Sequence, residues 1–190
     1  MLSARLVLVR HGQSTYNAQR RLQGQADPPL SDAGRAEALA LKAALPPFPQ
    51  VLCSDLQRAS ETAALLGYPE AERDRRWREI DVGEWEGRSL DDCGDEHERS
   101  WRGGPLTPPG GESWAQFVTR VGGAVDELVQ RGGEWLVVCH GGVVRAALTH
   151  VTGADPLTIA GPVNTSVTVL LTGERTRLER YAWTPGLSAI

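Results

Sequence analysis

Lysine is nearly absent from this 190-residue chain: of its 20 basic residues only Lys42 is a lysine, and the rest are arginines. A nucleoside triphosphatase loop of the Gly-x-x-x-x-Gly-Lys-Ser/Thr type needs a lysine in a setting the sequence does not offer, so that class is excluded. Cysteine is scarce as well. Cys53, Cys93 and Cys139 are odd in number, widely spaced and without a Cys-x-x-Cys pair, which excludes a disulfide framework and a cysteine-rich zinc site. Long apolar runs are missing too. The best, Leu6–Val9 and Trp135–Cys139, reach about a quarter of the ~20 residues a membrane span requires. No basic stretch, apolar stretch and cleavage site can be assembled at the N-terminus, so the expected location is the cytoplasm, with no membrane partner. Two catalytic signatures also fail: Gly12-Gln13-Ser14-Thr15-Tyr16 is not a Gly-x-Ser-x-Gly elbow, and there is no His-Glu-x-x-His. A net charge of −4 argues against a nucleic-acid partner held by a generally basic surface.

What is present is an ordinary globular composition, 41% hydrophobic and 23% charged. Its length predicts one domain, residues 1–190, with a full core. The run 5–9 reads as a buried strand that ends at Arg10-His11-Gly12. Ser31-Asp32 opens a helix that runs to about Leu45 and is stopped by Pro46-Pro47. A strand over 50–54 leads into a helix over 55–66, closed by Gly67. Residues 81–111, rich in Gly, Pro and charge, read as an irregular, lid-like insertion with room for one short helix. A helix over 112–131 places Phe117, Val121, Val125 and Leu128 on one face. Then come a strand over 135–139, a turn at His140-Gly141-Gly142, a helix over 143–151, and strands over 166–171 and 177–183. This alternation predicts a three-layer α/β/α sandwich with a mostly parallel mixed sheet.

Two strands end in His-Gly turns, Val9-Arg10-His11-Gly12 and Val138-Cys139-His140-Gly141. Ligands of such folds collect beyond the carboxyl ends of the strands, so the histidines are expected to meet at one site. Gly12 and Gly141 allow close backbone approach by a ligand, and each precedes a predicted helix whose N-terminal N–H groups favour anions. Arg10 adjoins His11, and Arg58 lies early on the helix after the second strand. Two guanidinium forks and two imidazoles make a cationic pocket suited to a phosphate dianion, and arginines beside the histidines would repel a metal ion. No metal and no cofactor are expected. His97 and His150, in a charged loop and on a helix, read as structural. Cys53 and Cys139 read as small buried hydrophobes.

Five segments resemble, in order, those of the histidine phosphatase superfamily, in its phosphoglycerate mutase-like branch. They are Leu8-Val9-Arg10-His11-Gly12-Gln13-Ser14-Thr15-Tyr16-Asn17, Gln23–Gly34, Ser54–Ala63, Arg78–Gly87 and Val138-Cys139-His140-Gly141-Gly142. The resemblance implies that His11 takes the phosphoryl group as a phosphohistidine, and that Arg10, Arg58, Asn17 and His140 hold its oxygens. It further implies that Gln23, Gly24 and Gly141 line the substrate side and that Glu79 is the general acid. The physics agrees: flanking arginines disfavour protonation of a nucleophilic imidazole. Glu84 and Glu86 read as solvated loop charges, and Arg20, Arg21, Trp85, Trp101 and Arg102 as shapers of an outer pocket.

The implied function is a metal-independent phosphomonoesterase for a small phosphorylated metabolite. Mutases of the family tend to be longer, and this chain offers only 81–111 as enclosing material, so hydrolysis is the expectation. Phosphoglycerate mutase, an α-ribazole-5'-phosphate phosphatase and a non-catalytic phosphopeptide-binding relative are the alternatives. A homodimer is allowed but not specified by any exposed apolar stripe.

Overall fold

The apolar run that ends at Arg10 lies at the heart of the sheet. The computed structural model describes residues 3–91, 103–104, 106–173 and 176–185. Cys93, His97, Trp101 and Arg102 lie outside the described residues. Six strands, β1 (Ala4–Arg10), β2 (Val51–Cys53), β3 (Glu72–Arg73), β4 (Gly133–Cys139), β5 (Val167–Thr172) and β6 (Arg177–Trp183), order as β3-β2-β4-β1-β5-β6. The β3-β2-β4-β1 part is parallel, and β5 and β6 join antiparallel. The expected mostly parallel mixed sheet is therefore the one observed.

Helices cover both faces, which explains why the central strands read as continuous apolar runs instead of alternating ones. Leu6 and Leu8 of β1, with Trp135, Val137 and Cys139 of β4, pack under α4 (Trp114–Arg131) and α5 (Gly141–Thr152). Val7, Val9, Leu136 and Val138 point the other way, to α2 (Asp32–Ala44) and α3 (Gln57–Leu65), where Leu41, Ala59 and Ala63 meet them. On α4 the four predicted positions Phe117, Val121, Val125 and Leu128 are all buried. Gly122 lets α5 approach, since a Cβ there would stand 2.5 Å from the His150 ring. His150 is held structurally, its Nε2 2.8 Å from Asp126 Oδ1.

Several boundaries and short elements differ from the sequence reading, with local reasons. The helix expected from Asp55 starts at Gln57 because Asp55 does not cap it: both its oxygens are taken by Arg78 at 2.7 Å. Asp27, from a distant loop, accepts the Gln57 N–H instead at 2.6 Å. The expected turn at His140-Gly141-Gly142 is the N-cap and first turn of α5. The four-residue helix α1 (Thr15–Ala18), opened by a Ser14–Asn17 capping box, and the two-residue β3 are too short to leave a periodic signal.

The register of β1 on β4 matters most. Arg10 stands opposite Cys139 in adjacent parallel strands, so the next residues, His11 and His140, emerge side by side at the carboxyl edge. The His11 N–H donates to the Cys139 carbonyl at 2.9 Å.

Candidate active site

The two imidazoles stand edge to face, ring centroids 5.1 Å apart, and both are buried. His11 Nδ1 lies 2.7 Å from its neighbour's carbonyl, Gly12 O. A carbonyl only accepts, so Nδ1 carries the proton and Nε2 presents a lone pair. That lone pair receives the Nε–H of Arg58 at 3.2 Å. Burial, then Arg58, then Arg10 push the His11 pKa well below its ordinary value. Burial and the same two arginines, together with His11 itself, do the same to His140. Neither ring nitrogen of His140 has a hydrogen-bond partner among the described residues. Two desolvated imidazoles thus meet at the carboxyl edge of the sheet.

Arg58 is fully buried and held by a loop. Its Nη1 and Nη2 donate to the carbonyls of Ala26 and Gly24 at 2.7 and 2.8 Å, and burial lowers its pKa to about 10. The opposite side of that loop is fixed by Glu86, whose Oε1 accepts the Gln25 and Ala26 N–H groups at 2.6 and 2.8 Å. Glu86 is therefore a loop anchor, which corrects its reading as a solvated charge. Gly24 adopts a left-handed φ of +52°, and a Cβ there would stand 2.6 Å from Val82 Cγ2. Arg10 donates through Nη1 to Pro162 O at 2.6 Å, while its buried Nε has no partner among the described residues.

Glu79 reaches the same spot from the loop after β3. Its Oε2 accepts the Gly142 N–H at the start of α5, and its Oε1 accepts the Ile80 N–H, both at 2.9 Å. A Cβ on Gly142 would overlap the carboxylate, so this approach needs glycine. Arg120 ties the segment down from α4, donating to the carbonyls of Arg76, Arg78 and Glu79 and to Glu112.

A cavity of about 140 Å³ opens here, lined by Arg10, His11, Asn17, Gln23, Gly24, Arg58 and Glu79 among the residues expected from sequence. Arg21, Leu22, Ile80, Val82 and Leu90 complete the wall. His140 and Gly141 are not part of that lining: His140 packs edge to face on His11, and Gly141 lies against Arg10, whose Nε would be 3.5 Å from a Cβ there. Arg20 faces away, ion-paired with Asp91 at 2.7 Å. The two described cysteines are buried thiols: burial pushes Cys53 up to about 11 and raises Cys139 further.

Sequence reasoning missed two sets of positioning contacts, one buried and one half-buried. Thr62 Oγ1 accepts the Gly12 N–H at 3.1 Å and donates to the Arg58 carbonyl at 2.7 Å, joining the His11 loop to α3. Asn164 Nδ2 donates to the His11 carbonyl at 2.9 Å and to Asn17 Oδ1 at 3.2 Å. The available signal was its place, a turn-forming residue just ahead of a strand that pairs with β1. Among the described residues no three His, Cys, Asp or Glu side chains gather as a metal site, and no helix is long and apolar enough to cross a membrane.

Fold and cavity together define an α/β enzyme with a cationic cavity at the carboxyl edge of its sheet. The chain belongs to the histidine phosphatase superfamily (branch 1), whose family model matches residues 6–184. It is similar to the glucosyl-3-phosphoglycerate phosphatase of Mycolicibacterium vanbaalenii, with 34% identity over 189 residues, 89% of this chain and 84% of the relative. A probable phosphoglycerate mutase of Cronobacter sakazakii is 34% identical over 159 residues, 77% of this chain and 74% of its own. A solved mycobacterial glucosyl-3-phosphoglycerate phosphatase complexed with VO3 superposes with a TM-score of 0.82 at 34% identity, covering 94% of this chain and 98% of that one.

Proposed function

We propose that the chain is one histidine phosphatase domain that hydrolyses phosphate monoesters of small metabolites through a phosphohistidine on Nε2 of His11. One observation carries this reading: an imidazole whose proton is parked on Nδ1 offers Nε2 to a cavity in which Arg10 and Arg58 flank it. A nucleophilic nitrogen needs an unprotonated lone pair, and the same guanidiniums that keep it unprotonated attract its substrate.

As the dianion enters, the Arg58 Nε–H leaves His11 Nε2 for a phosphoryl oxygen. Arg10, Asn17 and His140 take the remaining non-bridging oxygens, matching the charge that spreads over them in the transition state. Nε2 bonds to phosphorus as the P–O bond to the alcohol breaks, and Glu79 gives its proton to the departing oxygen. Glu79 then takes a proton from water, whose oxygen attacks phosphorus and breaks the P–N bond. Alcohol and inorganic phosphate leave, and both side chains regain their starting states.

Relatives named for glucosyl-3-phosphoglycerate support a phosphoglycerate-type ester as substrate. Nitrophenyl phosphate hydrolysis with chelator present tests the class. Robust turnover there, with no interconversion of phosphoglycerates when bisphosphoglycerate is supplied, is the expected result. Interconversion without net phosphate release would replace the hydrolase reading by a mutase one.

A further inference from the structure

The outer wall of the cavity is a two-stranded ribbon that no part of the proposed chemistry uses. The Leu22 N–H donates to Arg88 O at 2.9 Å, the Gly87 N–H to Leu22 O at 2.9 Å, and the Leu90 N–H to Arg20 O at 2.8 Å. Two adjacent arginines on this ribbon are both exposed, but with different partners. Arg20 pairs with Asp91, whereas Arg21 stands at the rim of the cavity that holds His11, Arg58 and Glu79. Arg21 Nη1 donates to Gly87 O at 3.2 Å, which fixes one arm of its fork. No carboxylate among the described residues pairs with that fork.

Charge and shape both leave something for Arg21 to bind. The lining holds three guanidiniums, Arg10, Arg21 and Arg58, and one carboxylate, Glu79. In the proposed reaction Arg10 and Arg58 take the phosphoryl oxygens, and Arg21, on the outer wall, has no part in it. Leu22, Val82 and Leu90 line the same cavity, an apolar strip suited to the carbon skeleton of an ester and not to a second charge.

We propose that Arg21 is a second-anion subsite, the group that holds the carboxylate of a phosphoglycerate-type ester while its phosphate lies against His11. The proposal rests on the phosphatase reading of the His11 cavity. An arginine fork suits a carboxylate because it can donate two parallel hydrogen bonds.

The test compares 3-phosphoglycerate, glycerol phosphate and nitrophenyl phosphate in the whole enzyme and in Arg21→Ala and Arg21→Lys. Only the first substrate carries a carboxylate. In Arg21→Ala the ratio of kcat/KM for 3-phosphoglycerate to that for glycerol phosphate falls about 10- to 100-fold, the loss of one charged hydrogen-bonded pair. The fall resides mainly in KM, because the carboxylate is held equally before and during reaction. Arg21→Lys restores part of the ratio by supplying a point charge. An unchanged ratio, whether activity survives or drops equally on all three esters, overturns the subsite and leaves the phosphatase intact. An unmodified enzyme that cleaves none of the three overturns the phosphatase reading itself.

Discussion

Arg58 Nε and His11 Nε2 stand 3.2 Å apart in direct donor-to-lone-pair contact. The cation that lowers the basicity of His11 is thus the one that occupies its reactive nitrogen before substrate arrives. A protonated His11 would put a second N–H against that donor in a site with almost no water to screen it. Nitrogen NMR should therefore find both His11 and His140 neutral well below pH 6.5. Arg58→Ala should raise the His11 pKa toward the ordinary range. Titration of wild-type His11 near its ordinary value would contradict this contact.

The same two histidines set an acid limit on stability. In the unfolded chain they bind protons below about pH 6.5, whereas the folded state holds them neutral to lower pH. The unfolded state then carries more protons, so stability falls as pH drops below about 6.5, by up to ~1.4 kcal/mol per pH unit for each histidine. Thermal unfolding from pH 7.5 to 5 measures this slope. His11→Ala and His140→Ala should each flatten it, and a slope that neither variant changes would assign the loss to other groups.

Glu86 governs Arg58 through a loop between them, accepting two N–H groups on one side while Arg58 donates to two carbonyls on the other. Removing the carboxylate leaves the Gln25 and Ala26 N–H groups without that acceptor. Glu86→Ala is expected to lose about 1–3 kcal/mol of stability and at least about tenfold in kcat/KM by loosening Arg58. Glu86→Gln, which keeps an acceptor oxygen, should recover much of both in denaturant unfolding and steady-state assays. Equal behaviour of the two variants would remove the loop from the account.

The pattern of strands and helices was legible because apolar runs and caps record it, and the parallel neighbours β1 and β4 follow from two strands with matching His-Gly ends. Arg10, His11, Arg58 and His140 could be read as one cluster because each sits at a strand end or on the first turn beyond, whereas Glu79, on a loop after the short β3, was reached only through the family resemblance. Asn164, Thr62 and Asp27 could not be read that way. They act through backbone groups of segments far off in sequence, and neither periodicity nor residue type reveals which backbone group a side chain will reach. Glu86 was misread for the same reason: in sequence it is one more loop charge, and only the fold brings the Gln25–Ala26 amides to it.

Glycine at position 142 fixes where the proton donor stands. A methyl group there overlaps the Glu79 carboxylate and displaces it from the Gly142 N–H that it accepts at 2.9 Å. Gly142→Ala should keep its fold, since alanine is at home in a first helical turn. It should lose kcat on sugar phosphates more than on nitrophenyl phosphate, whose leaving group needs no proton. Glu79→Gln should show the same asymmetry more strongly, by about 10²–10⁴-fold on the poor leaving group. Equal losses on both substrates would remove Glu79 from the role of acid.

Direct capture of the covalent intermediate tests the central claim. The enzyme is mixed with phosphate-labelled substrate, quenched under alkaline conditions that preserve phosphohistidine, and mapped by mass spectrometry. The account predicts one phosphoryl group, on His11 Nε2, formed at a rate no slower than turnover and absent from His11→Ala. Label on another residue, or turnover by His11→Ala at the wild-type rate, would contradict it.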